Sequence, residues 1–191
     1  MTVAEQPVVF FKDQEAWEKW LVSHFDSSPG VWLRIGKKSA AIESVTYQEA
    51  LDVALCHGWI DGQKKKWDDE SWIQKFTPRG KRSIWSKINR DKTDALIAQS
   101  RMKVAGLAAI DRAKLNGQWE AAYDSHSTAV VPEDFQKALD KSRKATKFFE
   151  TLSRQNRYAI LWRIQTAKKE ETRKRRIAQF IEMLKAGERL H

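Results

Sequence analysis

The residues best placed to do chemistry lie in one stretch, from Gly58 to Asn89. Arg79 follows a predicted strand and Ser83 precedes a predicted helix, which would bring a guanidinium group and a hydroxyl group beside free backbone amides. Such a set of donors suits a carboxylate or a phosphate. Trp85 would supply a flat wall for stacking, and Asn89, one helical turn further on, would fix the orientation of the ligand. The sequence therefore predicts a site for a small anionic ligand.

One acidic residue, Asp61, and one basic residue, Lys64, complete this predicted site. Asp61, just past the end of a predicted helix, is placed to orient Arg79 or Lys64. An alternative accounts for the same residues without a ligand, because Arg79 and Asp61 can form a structural ion pair. In that alternative Ser83 is a simple helix cap and Trp85 belongs to the core. The two interpretations differ in whether the guanidinium and the indole meet at a hollow that solvent reaches.

The common catalytic and metal-binding patterns are missing from the sequence. It contains neither a GxSxG nucleophile motif nor a GxGxxG dinucleotide motif. The single cysteine, Cys56, excludes an internal disulfide, and the four histidines lack the spacing of zinc ligands. We therefore expect no metal and no cofactor. An enzyme of unfamiliar type, with Asp61 or His57 as acid or base, is an open alternative to the favoured non-catalytic interpretation.

Basic charge is concentrated toward the C-terminus. The formal net charge of the chain is +10, and residues 141–176 contain 13 Lys or Arg against 3 Glu. Part of this charge can be a solvated helix face, since Glu171 and Arg175 are four residues apart and can pair. Alternatively, the helices bind nucleic acid without sequence specificity, through phosphate contacts and stacking. The residues that would make these contacts are Arg157, Trp162, Arg173, Arg175 and Arg176.

Nothing in the sequence indicates export or a membrane. No stretch approaches the roughly 20 apolar residues that a membrane-spanning helix needs. The N-terminal sequence MTVAEQPVVFFKDQ lacks the basic start and the long apolar core of a signal peptide. We therefore expect a cytoplasmic protein without a membrane partner. The oligomeric state stays open.

Hydrophobic periodicity predicts an α+β fold. Short strands are expected near residues 8–11, 31–35, 63–67 and 71–77, and the helix-start signals after Asp13 and Thr46 place two helices between them. Residues 1–92 would thus form a small four-stranded sheet with helices. Helical spacing dominates the rest of the chain. We expect an all-helical C-terminal half, residues 93–191, to pack on the first half as one integrated domain.

Several short motifs extend these predictions. They are Gly58–Gly62, Phe76–Arg79, Ser83, Trp85–Ser86 and Asn89, followed near the C-terminus by Trp162, Ala167–Lys168, Glu171–Arg173 and Arg175–Ile177. Together they resemble the YdeI/OmpD-associated family of bacteriocin-protection proteins over nearly the whole chain. The resemblance implies a small bacterial cytosolic protein with a role in protection against antimicrobial peptides. It supplies no catalytic residues.

Overall fold

The structure, a computed structural model, describes residues 6–190. Part of the N-terminal stretch assessed for an export signal, and the terminal His191, lie outside this range. The four strands are β1 (Val8–Phe10), β2 (Val31–Gly36), β3 (Trp59–Lys66) and β4 (Ser71–Pro78). The helices are α1 (Gln14–His24), α2 (Tyr47–Cys56), α3 (Lys87–Ala98), α4 (Val104–Leu115), α5 (Glu133–Asp140), α6 (Arg143–Thr151), α7 (Arg154–Gln165) and α8 (Glu170–Ala186). The predicted α+β class, with strands in the N-terminal half and a helical C-terminal half, is confirmed.

The four strands form one mixed sheet in the order β1-β2-β4-β3. β1 pairs with β2 in parallel, whereas β4 pairs antiparallel with both β2 and β3. The predicted turn between β3 and β4 is present, and Asp68 stabilises it. Its Oδ1 atom accepts hydrogen bonds from the amides of Glu70 and Ser71, at 2.9 and 2.6 Å. A short carboxylate that accepts from amides two and three residues ahead fixes such a turn.

One face of this sheet carries the core of the N-terminal half. Val31, Leu33 and Ile35 alternate onto that face of β2 and are buried. Trp17 of α1 is fully buried as well, and its indole nitrogen donates a hydrogen bond to the carbonyl of Ala50 in α2, at 3.1 Å. A buried tryptophan needs a partner for its N–H group, so this bond joins α1 to α2 within the core.

The predicted helix boundaries depend on side chains that satisfy the free amides of a first turn. The carboxylate of Asp13 accepts from the amide of Ala16 at 2.8 Å and starts α1. At the start of α2, Thr46 and Glu49 each accept from the backbone amide of the other, which is the predicted capping box. Gly58 follows α2 with φ +74°, the left-handed conformation expected of it.

Helix α4 approaches α2 closely at a glycine. A Cβ atom on Gly106 would lie 2.3 Å from the carbonyl oxygen of Cys56 and 2.8 Å from that of Leu55. The amide of Lys103, just before α4, donates to the same Cys56 carbonyl at 3.1 Å. In the structure Gly106 is the residue that lets α4 lie against the end of α2.

The helices α5 to α8 enclose a second core. Its largest buried side chains include Phe135 and Phe149, whose rings meet edge to face with centroids 5.6 Å apart. Ile160, Ile164 and Leu184 add buried aliphatic side chains from α7 and α8. The spacing of these residues along each helix matches one apolar stripe per helix, as the sequence predicts.

The chain divides into two compact units. The first comprises Met1–Ile84 and Asn89–Glu120, and the second comprises Trp85–Ile88 and Ala121–His191. The division after residue 120 differs from the predicted boundary at residues 92 and 93, because α4 and the part of α3 from Asn89 onward belong to the first unit. Between residues 6 and 190, no helix combines the length and apolarity required to cross a bilayer.

Candidate functional site

Arg79, the centre of the predicted site, is a buried residue with 6% of its surface exposed. Its Nη1 atom donates to the carbonyl of Ile84 at 3.1 Å. Its own amide donates to the carbonyl of Gly58 at 2.9 Å, and its carbonyl accepts from Nη2 of Arg112 at 3.3 Å. Arg79 therefore connects the end of β4 to the segment after it and to α4, all within the first unit.

The other members of the predicted set are distributed over both units. Trp85 is 2% exposed and belongs to the second unit, where its carbonyl accepts from the amide of Tyr123 at 3.0 Å. Asn89 is buried in the first unit. The amide of Ser83 donates to the carbonyl of Gly80 and closes a turn. The next helix, α3, begins four residues after Ser83. Ligand binding by this set stays a prediction.

The two remaining predicted residues, Asp61 and Lys64, contact aromatic side chains. The Tyr47 hydroxyl donates to Oδ2 of Asp61 at 2.9 Å. The Lys64 Nζ atom lies 4.0 Å from the centre of the Trp72 ring, within the range of a cation–π interaction. Tyr47 and Trp72 both line the same cavity in the first unit. The sequence did not predict this cavity, and it gave Asp61 the role of orienting Arg79 or Lys64, whereas in the structure Asp61 accepts a hydrogen bond from Tyr47.

We call this cavity the β2–α2 pocket. Its volume is about 550 Å³. Its lining includes Lys37, Lys38, Tyr47 and Trp72, with Ile35 and Ile42 among the apolar residues. The rings of Tyr47 and Trp72 are 5.9 Å apart and tilted by 47° to each other. Pockets of several hundred Å³ with apolar walls and a few polar groups are typical of small-molecule sites.

The loop between β2 and α2 closes this pocket because of two local features. A Cβ atom on Gly36 would lie 2.9 Å from the carbonyl oxygen of Ile42, so the loop returns past a residue without a side chain. The amide of Gly36 also donates to the Ser44 hydroxyl at 2.9 Å. The capping box at Thr46 then starts α2. The loop is therefore tied back onto the end of β2, and its lysines are held at the pocket.

The charge of the β2–α2 pocket is positive. Among the described residues, its lining contains Lys37 and Lys38 and no Asp or Glu. Lys37 Nζ donates to the carbonyls of Asp68 and Asp69, at 3.3 and 2.7 Å, while Lys38 is exposed. The overlooked signal was the position of two lysines between a strand and a helix start that carries Tyr47.

The candidate acid–base residues have separate partners. His57 is buried, its Nε2 atom lies 3.8 Å from Oε1 of Glu18, and burial lowers the pKa of its imidazole. Burial likewise raises the pKa of the Cys56 thiol, which keeps the thiol protonated. Asp61 accepts from Tyr47. Among residues 6–190 no group of three or more His, Cys, Asp or Glu side chains is arranged to hold a metal ion.

Three arginines proposed to bind nucleic acid also make internal contacts. Arg173 forms two hydrogen bonds with the Asp134 carboxylate, at 2.6 and 2.8 Å. Arg176 donates to the carbonyl of Arg163, and Arg157 donates to the carbonyl of Leu152 at 3.1 Å.

The other two proposed residues differ in their surroundings. Trp162 is half-buried, and its ring meets that of Tyr123 edge to face at 6.1 Å. Arg175 is exposed on α8. Of the five residues, Arg175 is therefore the one whose side chain is exposed, and the other four are half-buried. Nucleic-acid binding stays a prediction.

A buried carboxylate in the second unit was missed by the sequence analysis. Asp124 lies in the segment that showed the least regular pattern, yet Lys87 Nζ and Gln165 Nε2 contact its two oxygens at 2.6 and 2.5 Å. Burial opposes ionisation of this carboxyl, but the hydrogen bonds from Lys87 and Gln165 outweigh it and hold the pKa of Asp124 below its usual range. These partners come from distant parts of the chain, so no local signal marked them.

Fold and cavity together define a two-unit α+β protein with a basic, aromatic-walled pocket. The chain belongs to the family described as a domain of unknown function (DUF8412), which matches residues 9–109. Residues 128–187 match the family described as Bacteriocin-protection, YdeI or OmpD-Associated. The predicted resemblance to that family is confirmed over this segment, while the motifs between Gly58 and Asn89 lie in the DUF8412 match. No protein with curated annotation and no protein of solved structure matches the chain.

Proposed function

We propose that the protein binds a small anionic ligand with a planar group in the β2–α2 pocket. The observation that carries this proposal is a cavity of about 550 Å³ lined by two lysines and two aromatic side chains, with no acidic residue in its described lining. A pocket of this charge favours a carboxylate or a phosphate over a neutral or cationic group. We assign a planar group to the ligand because the aromatic rings of Tyr47 and Trp72 line the pocket and can stack against such a group.

The geometry assigns a separate role to each part of the pocket. Trp72 and Tyr47 offer aromatic surface for a ligand ring. Asp61 holds the Tyr47 hydroxyl, and Lys64 lies on Trp72, so both rings are positioned by charged neighbours. Lys37 is held by two turn carbonyls and supplies a fixed positive charge. Lys38 is exposed at the pocket and is the cation best able to approach an entering anion.

The cellular role is inferred from the family descriptions. The description of the family matched by residues 128–187 names bacteriocin protection. We propose a bacterial, cytoplasmic, non-catalytic protein that acts in such protection through its bound ligand. Direct capture of a cationic peptide is disfavoured because the chain itself carries a formal net charge of +10. Protection would instead follow from control of an anionic molecule inside the cell.

Titration with benzoate tests the proposal, with benzamide as the uncharged compound of nearly the same shape. The indole N–H signal of Trp72, assigned with a Trp72→Phe variant, is followed by two-dimensional NMR. We expect benzoate to shift this signal more strongly than benzamide. Lys38→Ala should weaken benzoate binding by roughly 5- to 10-fold, the loss expected for one charge-assisted hydrogen bond at an exposed position.

The matched control is Lys81→Ala, which removes an exposed lysine that is not part of the pocket lining. It should bind benzoate as the unmodified protein does. Equal binding of benzoate and benzamide, or equal losses in the Lys38 and Lys81 variants, would show that the pocket does not select anions.

A further inference from the structure

The second unit contains a separate cavity of about 370 Å³, which we call the α6–α7 pocket. Its polar lining includes His126, Arg154, Arg157 and Tyr158. Its apolar lining includes Phe149 and Leu161, which are buried in the helical core. All of these residues belong to the second unit. The lining of the cavity therefore combines basic and apolar side chains.

Arg157 is fixed in place by the end of α6. Its Nε atom donates to the carbonyl of Leu152 at 3.1 Å, and its Nη2 atom donates to the carbonyl of Glu150. The guanidinium carbon also lies 5.7 Å from the centre of the Phe149 ring. The last carbonyls of a helix lack partners within the helix, so Arg157 satisfies two of them while keeping its charge. Its remaining N–H groups can bind an anion without the entropy cost of ordering the side chain.

Arg154 adds a second positive charge at the first residue of α7. Its side chain is exposed, and within residues 6–190 neither Arg154 nor Arg157 forms an ion pair with a carboxylate. The described lining of the α6–α7 pocket contains no Asp or Glu. Two arginine charges that no neighbouring carboxylate neutralises make this side of the cavity attractive to an anion.

The apolar residues of the lining limit the kind of anion. Phe149, Leu152 and Leu161 present apolar surface, and Ala129 and Val131 extend it. The Tyr158 hydroxyl is already used, since it donates to the carbonyl of Asp124 at 3.0 Å. Tyr158 thus contributes mainly its ring, which meets the ring of His126 edge to face at 5.2 Å. An inorganic ion would leave this apolar surface without a partner.

We propose that the α6–α7 pocket binds an anionic amphiphile, a molecule with a carboxylate head and an aliphatic tail. The head contacts Arg154 and Arg157, and the tail lies against Phe149, Leu152 and Leu161. This site differs from the β2–α2 pocket in its unit, its cations and its ligand class. This proposal can therefore be tested independently of the function proposed for the first unit.

Octanoate, 1-octanol and inorganic phosphate together test this proposal on the full chain. Octanoate has both the head and the tail, whereas each of the other compounds has one of them. Isothermal titration calorimetry measures affinity, and the ring-proton NMR signals of His126 report binding at the pocket. We expect octanoate to bind and to shift the His126 signals. We expect 1-octanol and phosphate each to bind at least about 5-fold more weakly.

Two variants at one position test the role of charge. Arg154→Ala should weaken octanoate binding by roughly 5- to 10-fold, and Arg154→Glu should abolish it. Both substitutions suit the first turn of a helix, where Glu is favourable, so the fold should be retained. Arg175→Ala is the matched control, because Arg175 is an exposed arginine that does not line the cavity.

The proposal is overturned by any of three results. The first is the absence of octanoate binding, and the second is binding of 1-octanol as tight as that of octanoate. The third is an equal effect of the Arg154 and Arg175 substitutions. Benzoate binding followed at Trp72 is a separate readout, so failure here leaves the β2–α2 pocket unaffected, and the reverse also holds.

Discussion

Lys87 Nζ lies 2.6 Å from Oδ1 of Asp124, and this ion pair joins the segment Trp85–Ile88 to the rest of the second unit. The backbone reinforces the connection, because the amide of Lys87 donates to the carbonyl of Tyr123 at 2.9 Å. These four residues thus belong to the same unit as the helices α5 to α8, although they are distant from those helices in the sequence. The pairing explains why Asp124 is ionised although it is buried.

Removal of the Lys87 charge should destabilise the protein. Lys87→Met keeps most of the side-chain volume but leaves Asp124 with one hydrogen-bond donor fewer. We expect a loss of about 1–2 kcal/mol in the free energy of unfolding, a modest value because Lys87 is half exposed and solvent screens the pair. Urea denaturation measures this change. Lys174→Met, which breaks the exposed pair with Glu170, should leave stability nearly unchanged.

Stability should fall as pH drops below about 6.5, the ordinary pKa of histidine. Burial lowers the pKa of His57 in the folded protein, and the carboxylate of Glu18, itself paired with Lys103, offsets only part of that effect. Between the folded and unfolded pKa values the unfolded chain binds more protons, so acid favours unfolding. Urea denaturation at a series of pH values measures this dependence.

His57→Gln removes the titrating group and should flatten the stability profile between pH 5 and about 7. His126→Gln removes an exposed histidine and should leave the profile as it is in the unmodified protein. A His57 variant with an unchanged slope would mean that other groups cause the acid sensitivity.

Arg79→Ala should act on stability and not on ligand binding at the β2–α2 pocket. The substitution removes a buried side chain and leaves the Ile84 carbonyl without one of its donors. We expect a loss of about 2–4 kcal/mol in the free energy of unfolding, with unchanged affinity for benzoate in the folded protein. Arg82→Ala, at an exposed arginine three residues away, should change neither property. Weaker benzoate binding by folded Arg79→Ala would favour the site predicted from the sequence.

Gly106→Ala should destabilise the protein although alanine is the better helix former. The added methyl group would lie 2.3 Å from the carbonyl oxygen of Cys56, so α4 must move away from α2. We expect a cost of about 1–3 kcal/mol, typical of overpacking, measurable as a lower melting temperature. Gly80→Ala is the control, because nothing lies within 4 Å of the Cβ position there. A stabilised Gly106 variant would show that the two helices can separate without cost.

Nucleic-acid binding, if present, should be weak and strongly dependent on salt. Arg173 is paired with Asp134, which reduces the charge that α8 can offer to phosphates. Filter binding of single-stranded DNA against salt concentration measures the effect, and Arg175→Ala should reduce the salt slope by about one. The absence of binding at low salt would remove this alternative.

The sequence predicted those parts of the fold that depend on neighbouring residues. Asp13, Thr46 and Glu49 act on amides within one helical turn, so their roles can be read from spacing alone. Gly58 ends α2 for an equally local reason.

The parts that the sequence did not predict depend on contacts between distant residues. Arg79 was expected at a ligand because an arginine after a strand has donors to offer, yet the surrounding chain buries it. Lys37 and Lys38 line a cavity together with Trp72, a residue more than thirty positions further along the chain, and nothing local indicates that contact. Asp124 and Gln165 are 41 residues apart, and no pattern connects them. The contacts of Asp61 with Tyr47 and of Lys64 with Trp72 likewise join residues that are distant in the sequence.

Strand β3 is at one end of the sheet order, and its last three residues are Lys64, Lys65 and Lys66. An edge strand has unpaired backbone N–H and C=O groups, with which a strand of another chain can pair. Successive lysines on the edge strand repel the same lysines of a second copy and so oppose this pairing. The register shift between Asp61 and Lys64 also interrupts the regular spacing of backbone groups that another strand would need for pairing. We therefore expect the lysines of this strand to hinder fibril growth at this edge, and their replacement by threonine or valine to remove that hindrance.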